Sequence, residues 1–133
     1  ALAVAETNAD RLGTSNIRFI HGNWFGPLQS DNKFHIIVSN PPYVAENDPH
    51  LQRGDLRHEP PGALSSGPDG LNDLRQIIAG APQWLHSAGW LLVEHGMDQA
   101  AAVRKLFQDA GFCEVNSSND LEHRERMTMG RWQ

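Results

Sequence analysis

The chain has 133 residues, 39% of them apolar, and its 16 acidic residues outnumber the 11 basic ones to give a net charge of −5. This length suits one domain with a hydrophobic core. The longest apolar runs, at 36–38 and 90–93, are too short to cross a membrane. A single cysteine, Cys113, excludes a disulfide framework and predicts a cytoplasmic protein. The acidic balance argues against direct nucleic-acid binding, which normally uses a basic surface.

The first part of the chain predicts one helix and two strands. Apolar residues at helical spacing run from Leu2 to Leu12, and Gly13 is suited to end the helix. Because the chain starts inside this pattern without Met, we expect it to be a piece of a longer protein. A β-branched and aromatic run at 17–21 predicts a strand. The nearly all-apolar run at 34–39 predicts a second strand, buried on both faces as in a parallel sheet.

The middle of the chain changes character at residue 41. Proline and glycine recur at short intervals through residues 41–70. They predict a long irregular segment, and such segments in compact domains are usually functional or disordered. Apolar residues at helical spacing from Leu71 to Leu85 then predict a helix that Pro82 kinks or restarts. Residues 90–94 predict another buried strand.

The last part of the chain predicts a helix and a pair of strands. Asp98 is placed to cap a helix with one apolar stripe, which Gly111 ends. Two short strands at 112–117 and 126–132, joined by a polar loop, predict an antiparallel pair. The mixed-sign run at 123–126 is predicted to be a solvated loop. The order of the elements predicts a three-layer α/β fold with a mostly parallel sheet.

The sharpest motif is Asn40-Pro41-Pro42-Tyr43, which directly follows a predicted strand. Ligands of open α/β sheets bind at the carboxyl ends of strands. The prolines stiffen the loop and leave its carbonyls unpaired, and Tyr43 supplies an aromatic face. The carbonyl oxygens of Asn40 and Pro41 could accept both hydrogens of an NH2 group while the ring stacks on the attached plane. The motif therefore predicts a site for a planar amide or amine; the structural alternative is a rigid turn with a packed tyrosine.

The sequence S-N-P-P-Y at 39–43 resembles the signature of amino-group methyltransferases that use S-adenosylmethionine, which DNA, RNA and protein-glutamine enzymes share. Further segments resemble the PrmC/HemK family, in order: A-L-A-V-A-E-T-N at 1–8, I-V-S-N-P-P-Y-V at 37–44, D-P-H-L at 48–51, E-P at 59–60, A-L at 63–64, E-H-G at 94–96 and E-R-M-T-M-G-R at 125–131. The resemblance therefore extends over essentially the whole chain.

The resemblance implies a function and a fold. The PrmC/HemK family methylates the side-chain amide nitrogen of glutamine in the Gly-Gly-Gln motif of class 1 peptide chain release factors. Its fold is a three-layer, Rossmann-like class I S-adenosylmethionine-dependent methyltransferase fold, with a mostly parallel sheet and an antiparallel C-terminal strand. Residues 1–133 would be the C-terminal portion of a single methyltransferase catalytic domain. The N-terminal part, with a Gly-rich cofactor loop and an acidic ribose-binding residue, would be missing, and this fragment would be inactive alone.

By position, the resemblance assigns four residues to the substrate glutamine: Asn40, Pro41, Pro42 and Tyr43. Of these, Asn40, Pro41 and Tyr43 would be catalytic. No titrating acid or base is expected, because accepting hydrogen bonds from both N–H groups would orient the amide nitrogen for attack on the methyl group. The supporting candidates Glu59 and Glu94 are each predicted to have a surface or cap role instead.

The resemblance also assigns the cofactor residues. Trp24 would line the adenine end of S-adenosylmethionine, with Asn40 and Asn23 close by. The family commonly has Asp at the position of Asn23, so no charge is expected there. The seven histidines lack metal-ligand spacing, and no metal is expected.

Three alternatives to a release-factor methyltransferase stay open. The first is a nucleic-acid adenine or cytosine amino-methyltransferase acting on a flipped base. The second is a glutamine methyltransferase for a ribosomal protein, and the third is a non-catalytic docking fragment. The acidic charge and the lack of a basic recognition region favour a protein substrate over a nucleic acid.

Overall fold

The computed structural model describes residues 1–49 and 63–133. The chain divides into two compact units, Ala1–Asn32 and Lys33–Gln133. The first unit contains helix α1 (Leu2–Arg11), which ends as predicted. Gly13 adopts a φ of 65°, and its N–H donates to the carbonyl of Asp10. The left-handed conformation suits glycine, which has no Cβ to clash.

The strand predicted at 17–21 is not formed. These residues have no regular secondary structure, and the side chains of Ile17 and Ile20 are exposed. A strand needs a neighbour that pairs with its backbone N–H and C=O groups. Within residues 1–49 and 63–133, no strand pairs with this segment. The prediction is wrong because composition alone does not supply a pairing partner.

The second unit is an α/β structure. Its elements are β1 (Phe34–Ser39), α2 (Asn72–Gly80), β2 (Leu85–Glu94), α3 (Ala100–Asp109), β3 (Cys113–Asn119) and β4 (Glu125–Arg131). The sheet order is β1-β2-β4-β3, with β1 and β2 parallel and β4 antiparallel to both of its neighbours. Three strands therefore run one way and the C-terminal strand runs the other way. This confirms an α/β fold with an antiparallel C-terminal strand; the described sheet is mixed, because β1 and β2 pair in parallel and the other two pairings are antiparallel.

The core lies between the sheet and its helices. Helix α3 packs on β3 and β4, and α2 packs against α3. The large, fully buried apolar side chains are Leu74, Ile77, Ile78, Leu91, Val93, Val103 and Phe107. Burying a side chain of this size contributes about 1.5–3 kcal/mol relative to leaving it in water. Leu91 and Val93 anchor β2 in this core, and β2 in turn pairs with β1, so the two strands end side by side at the candidate site.

The apolar run at 34–39 forms β1 with the predicted bounds but not with the predicted burial. Ile36 is 59% exposed and Val38 is 72% exposed. The strand is at an edge of the sheet, where β2 is its neighbour. A short apolar run indicates a strand, but it does not tell whether both faces are covered.

Proline restarts the helical region as predicted. Helix α2 ends at Gly80, and a short 3-10 helix, Ala81–Trp84, follows with proline in its first turn. Strand β2 then begins at Leu85, which is earlier than predicted. Its pairing with β1 is irregular until Trp90 pairs with Ile36. The last two strands form the predicted antiparallel pair. The run at 123–126 is only partly a loop, because β4 begins at Glu125.

Candidate active site

The segment Asn40–Tyr43 leaves the carboxyl end of β1 beside the carboxyl end of β2. Ser39, the last residue of β1, pairs with Val93 of β2. Pro41 is buried, whereas Asn40 is exposed and its side chain makes no hydrogen bond with any described residue. The amide of Asn40 is therefore available to a ligand at the edge of the sheet where α/β proteins bind them.

The Tyr43 side chain is held by two residues that are distant in sequence. Its hydroxyl donates to Glu94 Oε1 at 2.9 Å and accepts from Arg126 Nη2 at 2.8 Å. The guanidinium carbon of Arg126 also lies 5.3 Å from the centroid of the Tyr43 ring. Arg126 Nη2 and Glu94 Oε1 are 3.5 Å apart. Because both neighbours already bind the hydroxyl, the aromatic face is the part of Tyr43 best placed to meet a ligand.

The environment of Tyr43 keeps its phenol protonated. Burial raises the pKa of Tyr43, the hydrogen bond to Glu94 raises it further, and the charge of Arg126 opposes both effects. The net shift is upward from an ordinary value of 10.0. A phenol with a raised pKa does not serve as a base near neutral pH. The arrangement favours a role for Tyr43 in positioning rather than in proton transfer.

Glu94 and Arg126 differ from their predicted roles. A surface or cap role is wrong for Glu94, whose carboxylate contacts Tyr43 and Arg126. Arg126 ends the run predicted to be solvated and begins the strand predicted at 126–132; it belongs to β4, and it contacts Tyr43 rather than facing only solvent. No local pattern separates Arg126 from Arg124; the segment 125–131 is marked only by the family resemblance. Glu59 lies outside the described residues.

Gln99 is a second residue that sequence reasoning missed. Its Nε2 donates to the carbonyl oxygens of Tyr43 at 2.9 Å and Asp69 at 3.2 Å, and its Oε1 accepts from the N–H of Gly96 at 2.8 Å. Gln99, rather than the predicted Asp98, is also the residue that precedes α3, and its side chain makes no capping bond. One side chain thus ties the Tyr43 backbone to a neighbouring turn and to the segment after β2.

Two cavities meet at Asn40 and Arg126. The larger, of about 460 Å³, is lined by Asn40, Pro41, Pro42, Tyr43, Val44, Ala63, Leu64 and Arg126. The smaller, of about 310 Å³, is lined by Val38, Ser39, Asn40, Leu92, Val93, Glu94, Ser118, Asn119, Asp120, Arg126 and Met127. Both volumes fall within the range of small-molecule sites. All four predicted substrate residues therefore border one cavity.

The remaining predicted site residues, Asn23 and Trp24, lie in the first unit. Asn23 is exposed and Trp24 is half-buried, in a turn closed by a hydrogen bond from the Gly26 N–H to the Asn23 carbonyl at 3.0 Å. Trp24 has a φ of 47°, which is unusual for a bulky residue. Strained backbone of this kind clusters at functional sites. Cofactor binding by Asn23 and Trp24 stays a prediction.

Among residues 1–49 and 63–133, no group of three or more His, Cys, Asp or Glu side chains could hold a metal ion. No helix of the described chain combines the length and hydropathy needed to cross a membrane.

The chain is similar to several proteins named release factor glutamine methyltransferase. It is 53% identical to the one from Xylella fastidiosa strain Temecula1 over 131 residues, which are 98% of this chain and 47% of the relative. It is 49% identical to the one from Pseudomonas aeruginosa over 132 residues, 99% of this chain and 48% of the relative. These matches confirm the resemblance over nearly the whole chain. The chain spans about half the length of the curated relatives it matches.

A solved structure gives independent support for the fold. A methyltransferase from Pyrococcus furiosus superimposes with a TM-score of 0.68 over 98% of this chain and 56% of its own, at 15% sequence identity. At that identity the likeness concerns the fold alone, and it supports the α/β architecture. No family model matched the sequence.

Proposed function

We propose that the chain is the C-terminal portion of the catalytic domain of a glutamine methyltransferase. The complete protein would transfer a methyl group from S-adenosylmethionine to the side-chain amide nitrogen of the Gly-Gly-Gln glutamine in class 1 peptide chain release factors. The observation that carries this proposal is the Asn40–Tyr43 segment, fixed at the carboxyl end of β1 with the Asn40 amide exposed at a cavity. Relatives that match nearly the whole chain carry the name of this activity.

The amide nitrogen must be activated for methyl transfer. It is a poor nucleophile because its lone pair is delocalised into the carbonyl. The side-chain oxygen of Asn40 and the backbone oxygen of Pro41 would accept hydrogen bonds from both N–H groups of the glutamine. These bonds would orient the nitrogen and increase its electron density. Pro42 keeps the segment stiff, and the Tyr43 ring would stack on the amide plane. Preorganised dipoles and positioning would provide most of the acceleration.

S-adenosylmethionine is the proposed methyl donor, and it supplies a methyl group on a positively charged sulfur. The chain's residues suit such a ligand, because Trp24 offers a half-buried indole and the Asn40 amide has no hydrogen-bond partner among the described residues. Trp24 would contact the adenine, while Asn23 and Asn40 would offer neutral polar groups. Because each is uncharged, none of them would repel the positively charged sulfur of the donor.

The partner proposed for this chain is a protein in the cytoplasm. The net charge of this chain, −5, disfavours binding to a nucleic-acid backbone and is compatible with a protein substrate. A release factor presents its glutamine beside two glycines, which leave room for the enzyme's loop to approach the side chain.

The experiment uses the complete protein that carries this chain, with radiolabelled S-adenosylmethionine. We expect labelling of a release factor with Gly-Gly-Gln and none of a matched one with Gly-Gly-Ala. A ribosomal protein and a DNA duplex are offered in parallel. Equal labelling of both release factors, or labelling of the ribosomal protein or DNA instead, would contradict the proposal.

A further inference from the structure

We propose that Arg126 is a positioning residue, which covers one face of the Tyr43 ring so that a substrate amide can stack only on the other face. The inference rests on the proposed function and goes beyond it. It assigns a role to a side chain of β4 that lies outside the Asn-Pro-Pro-Tyr motif.

The guanidinium of Arg126 lies over the Tyr43 ring and donates to its hydroxyl. Its carbon lies 5.3 Å from the ring centroid, within the range of a cation–π contact. A planar group that stacks on the same face would have to displace the guanidinium. A ligand would then meet the opposite face of the ring, which would fix the side from which a flat amide approaches.

The contact between Arg126 and Tyr43 is rigid. Arg126 donates to the Tyr43 hydroxyl and also faces the carboxylate of Glu94. The side chains of Arg126 and Glu94 are only 32% and 39% exposed, so solvent competes less than at an open surface. A planar guanidinium can donate a hydrogen bond and lie over a ring at the same time. A lysine ammonium, as a point charge, cannot reproduce both contacts.

Arg126 lies between the two cavities. It lines both of them, and the other residue that does so is Asn40. Asn40 is the residue proposed to accept the substrate N–H groups. A change at Arg126 would therefore alter the cavity that holds the motif as well as the orientation of its ring.

The contact can be tested directly because Tyr43 is the only tyrosine of the 133 residues. We would titrate phenols by ultraviolet absorbance in the complete protein, and subtract the titration of Tyr43→Phe to isolate the signal of Tyr43. Since the charge of Arg126 lowers the phenol pKa and Glu94 raises it, Arg126→Met should raise the pKa above the wild-type value and Glu94→Gln should lower it. The matched control is Arg124→Met, because Arg124 pairs with Glu122 at 2.7 Å and should not affect the phenol. An unchanged phenol pKa in Arg126→Met would overturn the contact.

The positioning role is tested with the complete protein and a Gly-Gly-Gln peptide. We expect Arg126→Met to lower kcat/KM by roughly ten- to a hundredfold, since small errors of placement are costly. Arg126→Lys should restore only part of the loss. In a Tyr43→Leu background, Arg126→Met should have little further effect, because the ring on which it acts is gone. Full additivity of the two losses would show instead that Arg126 does not act through Tyr43.

Controls separate this inference from the proposed function and from misfolding. Thermal unfolding of each variant is compared with that of wild type, and Arg126→Gln replaces Arg126→Met if the latter does not fold. Normal Gly-Gly-Gln labelling by Arg126→Met would refute the inference alone. If the wild-type protein does not distinguish Gly-Gly-Gln from Gly-Gly-Ala, the proposed function fails and the positioning role falls with it, whatever the phenol titration shows.

Discussion

Two polar clusters are built from neighbouring residues near the adjoining ends of β2 and β4. The site cluster consists of Tyr43, Glu94 and Arg126. The core cluster consists of His95, Ser117 and Thr128. Glu94 and His95 are consecutive residues, yet Glu94 borders a cavity whereas His95 is 0% exposed.

In the core cluster, His95 and Thr128 are fully buried, Ser117 is half-buried, and the hydrogen bonds of the three side chains are satisfied. His95 Nδ1 lies 2.8 Å from the Gly96 carbonyl, which can only accept, so Nδ1 carries the proton. Nε2 then accepts from the Thr128 hydroxyl at 2.8 Å, and Thr128 accepts from Ser117 at 2.8 Å. Arg104 Nη1 in turn donates to Ser117 Oγ at 2.7 Å. Burial lowers the pKa of His95, so the ring is neutral.

Because the two clusters differ in burial, we expect the core cluster to contribute to stability and the site cluster to contribute to function. The core cluster uses its donors and acceptors within the protein, so its loss should affect folding and leave the chemistry intact. The site cluster is half-buried beside two cavities, so its loss should affect the geometry that a ligand meets. Four predictions test this separation.

The largest effect is expected at Asn40, which borders the site cluster. Asn40→Ala removes a proposed acceptor of the substrate N–H, so we expect kcat of the complete protein to fall by about 10²–10³-fold, as for other preorganised groups. The thermal unfolding midpoint should not change, because the side chain is exposed. Asn47→Ala, at an exposed residue a short distance along the same segment, is the control and should leave both quantities unchanged. Activity retained in Asn40→Ala would contradict the site.

The next largest effect is expected at Gly70, whose backbone lies close to the backbone carbonyl of Tyr43. A Cβ at this position would lie 2.3 Å from the Tyr43 carbonyl oxygen, and Gly70 has a φ of 73°. Gly70→Ala should destabilise the chain by more than about 2 kcal/mol, since a clash adds to the left-handed strain. Gly13→Ala is the matched control, with a φ of 65° but no atom within 4 Å of its Cβ. If chemical denaturation gave the same loss in the free energy of unfolding for both variants, the close approach of Gly70 to Tyr43 would not contribute to the effect.

The third prediction concerns the core cluster itself. Thr128→Val keeps the side-chain shape but leaves His95 Nε2 and Ser117 without their partner. We expect a loss of about 1–3 kcal/mol in the free energy of unfolding. Thr7→Val, at a hydroxyl bonded to the Ala3 carbonyl on the exposed face of α1, should cost less. Methyl transfer per folded molecule should stay at the wild-type level; a specific loss of activity would break the distinction between the clusters.

The smallest effect is the pH dependence contributed by His95. Because its folded pKa lies below the ordinary value of 6.5, the unfolded chain binds a proton first as the pH falls. The stabilising contribution is therefore present above pH 6.5 and is lost as the pH falls through and below that value. Chemical denaturation across this range should show a steeper decline for wild type than for His95→Gln. Parallel declines would contradict a neutral, buried His95.

Local sequence patterns predicted where helices and strands begin and end better than they predicted strand pairing and side-chain burial. The apolar run at 34–39 and the proline at 82 gave correct boundaries because both act on their own backbone. The run at 17–21 failed because a strand depends on a partner elsewhere. The exposure of Ile36 and Val38 was missed for the same reason, since burial depends on what covers a face.

The same distinction applies to the site. The motif Asn40–Tyr43 could be found in the sequence, because its four residues are consecutive. Its supports could not, since Arg126 is 83 residues from Tyr43 and Gln99 is 56 residues away. Such contacts depend on how the strands are paired, which no local spacing encodes.

The central claim is that the Asn40–Tyr43 segment presents a glutamine amide for methylation. The most direct test is tandem mass spectrometry of a class 1 release factor treated with the complete protein and S-adenosylmethionine. We predict one added methyl group on the side-chain nitrogen of the Gly-Gly-Gln glutamine, and a yield about 10²–10³-fold lower with Asn40→Ala at the same enzyme concentration and reaction time. A methyl group on another residue, or an equal yield with Asn40→Ala, would contradict the claim.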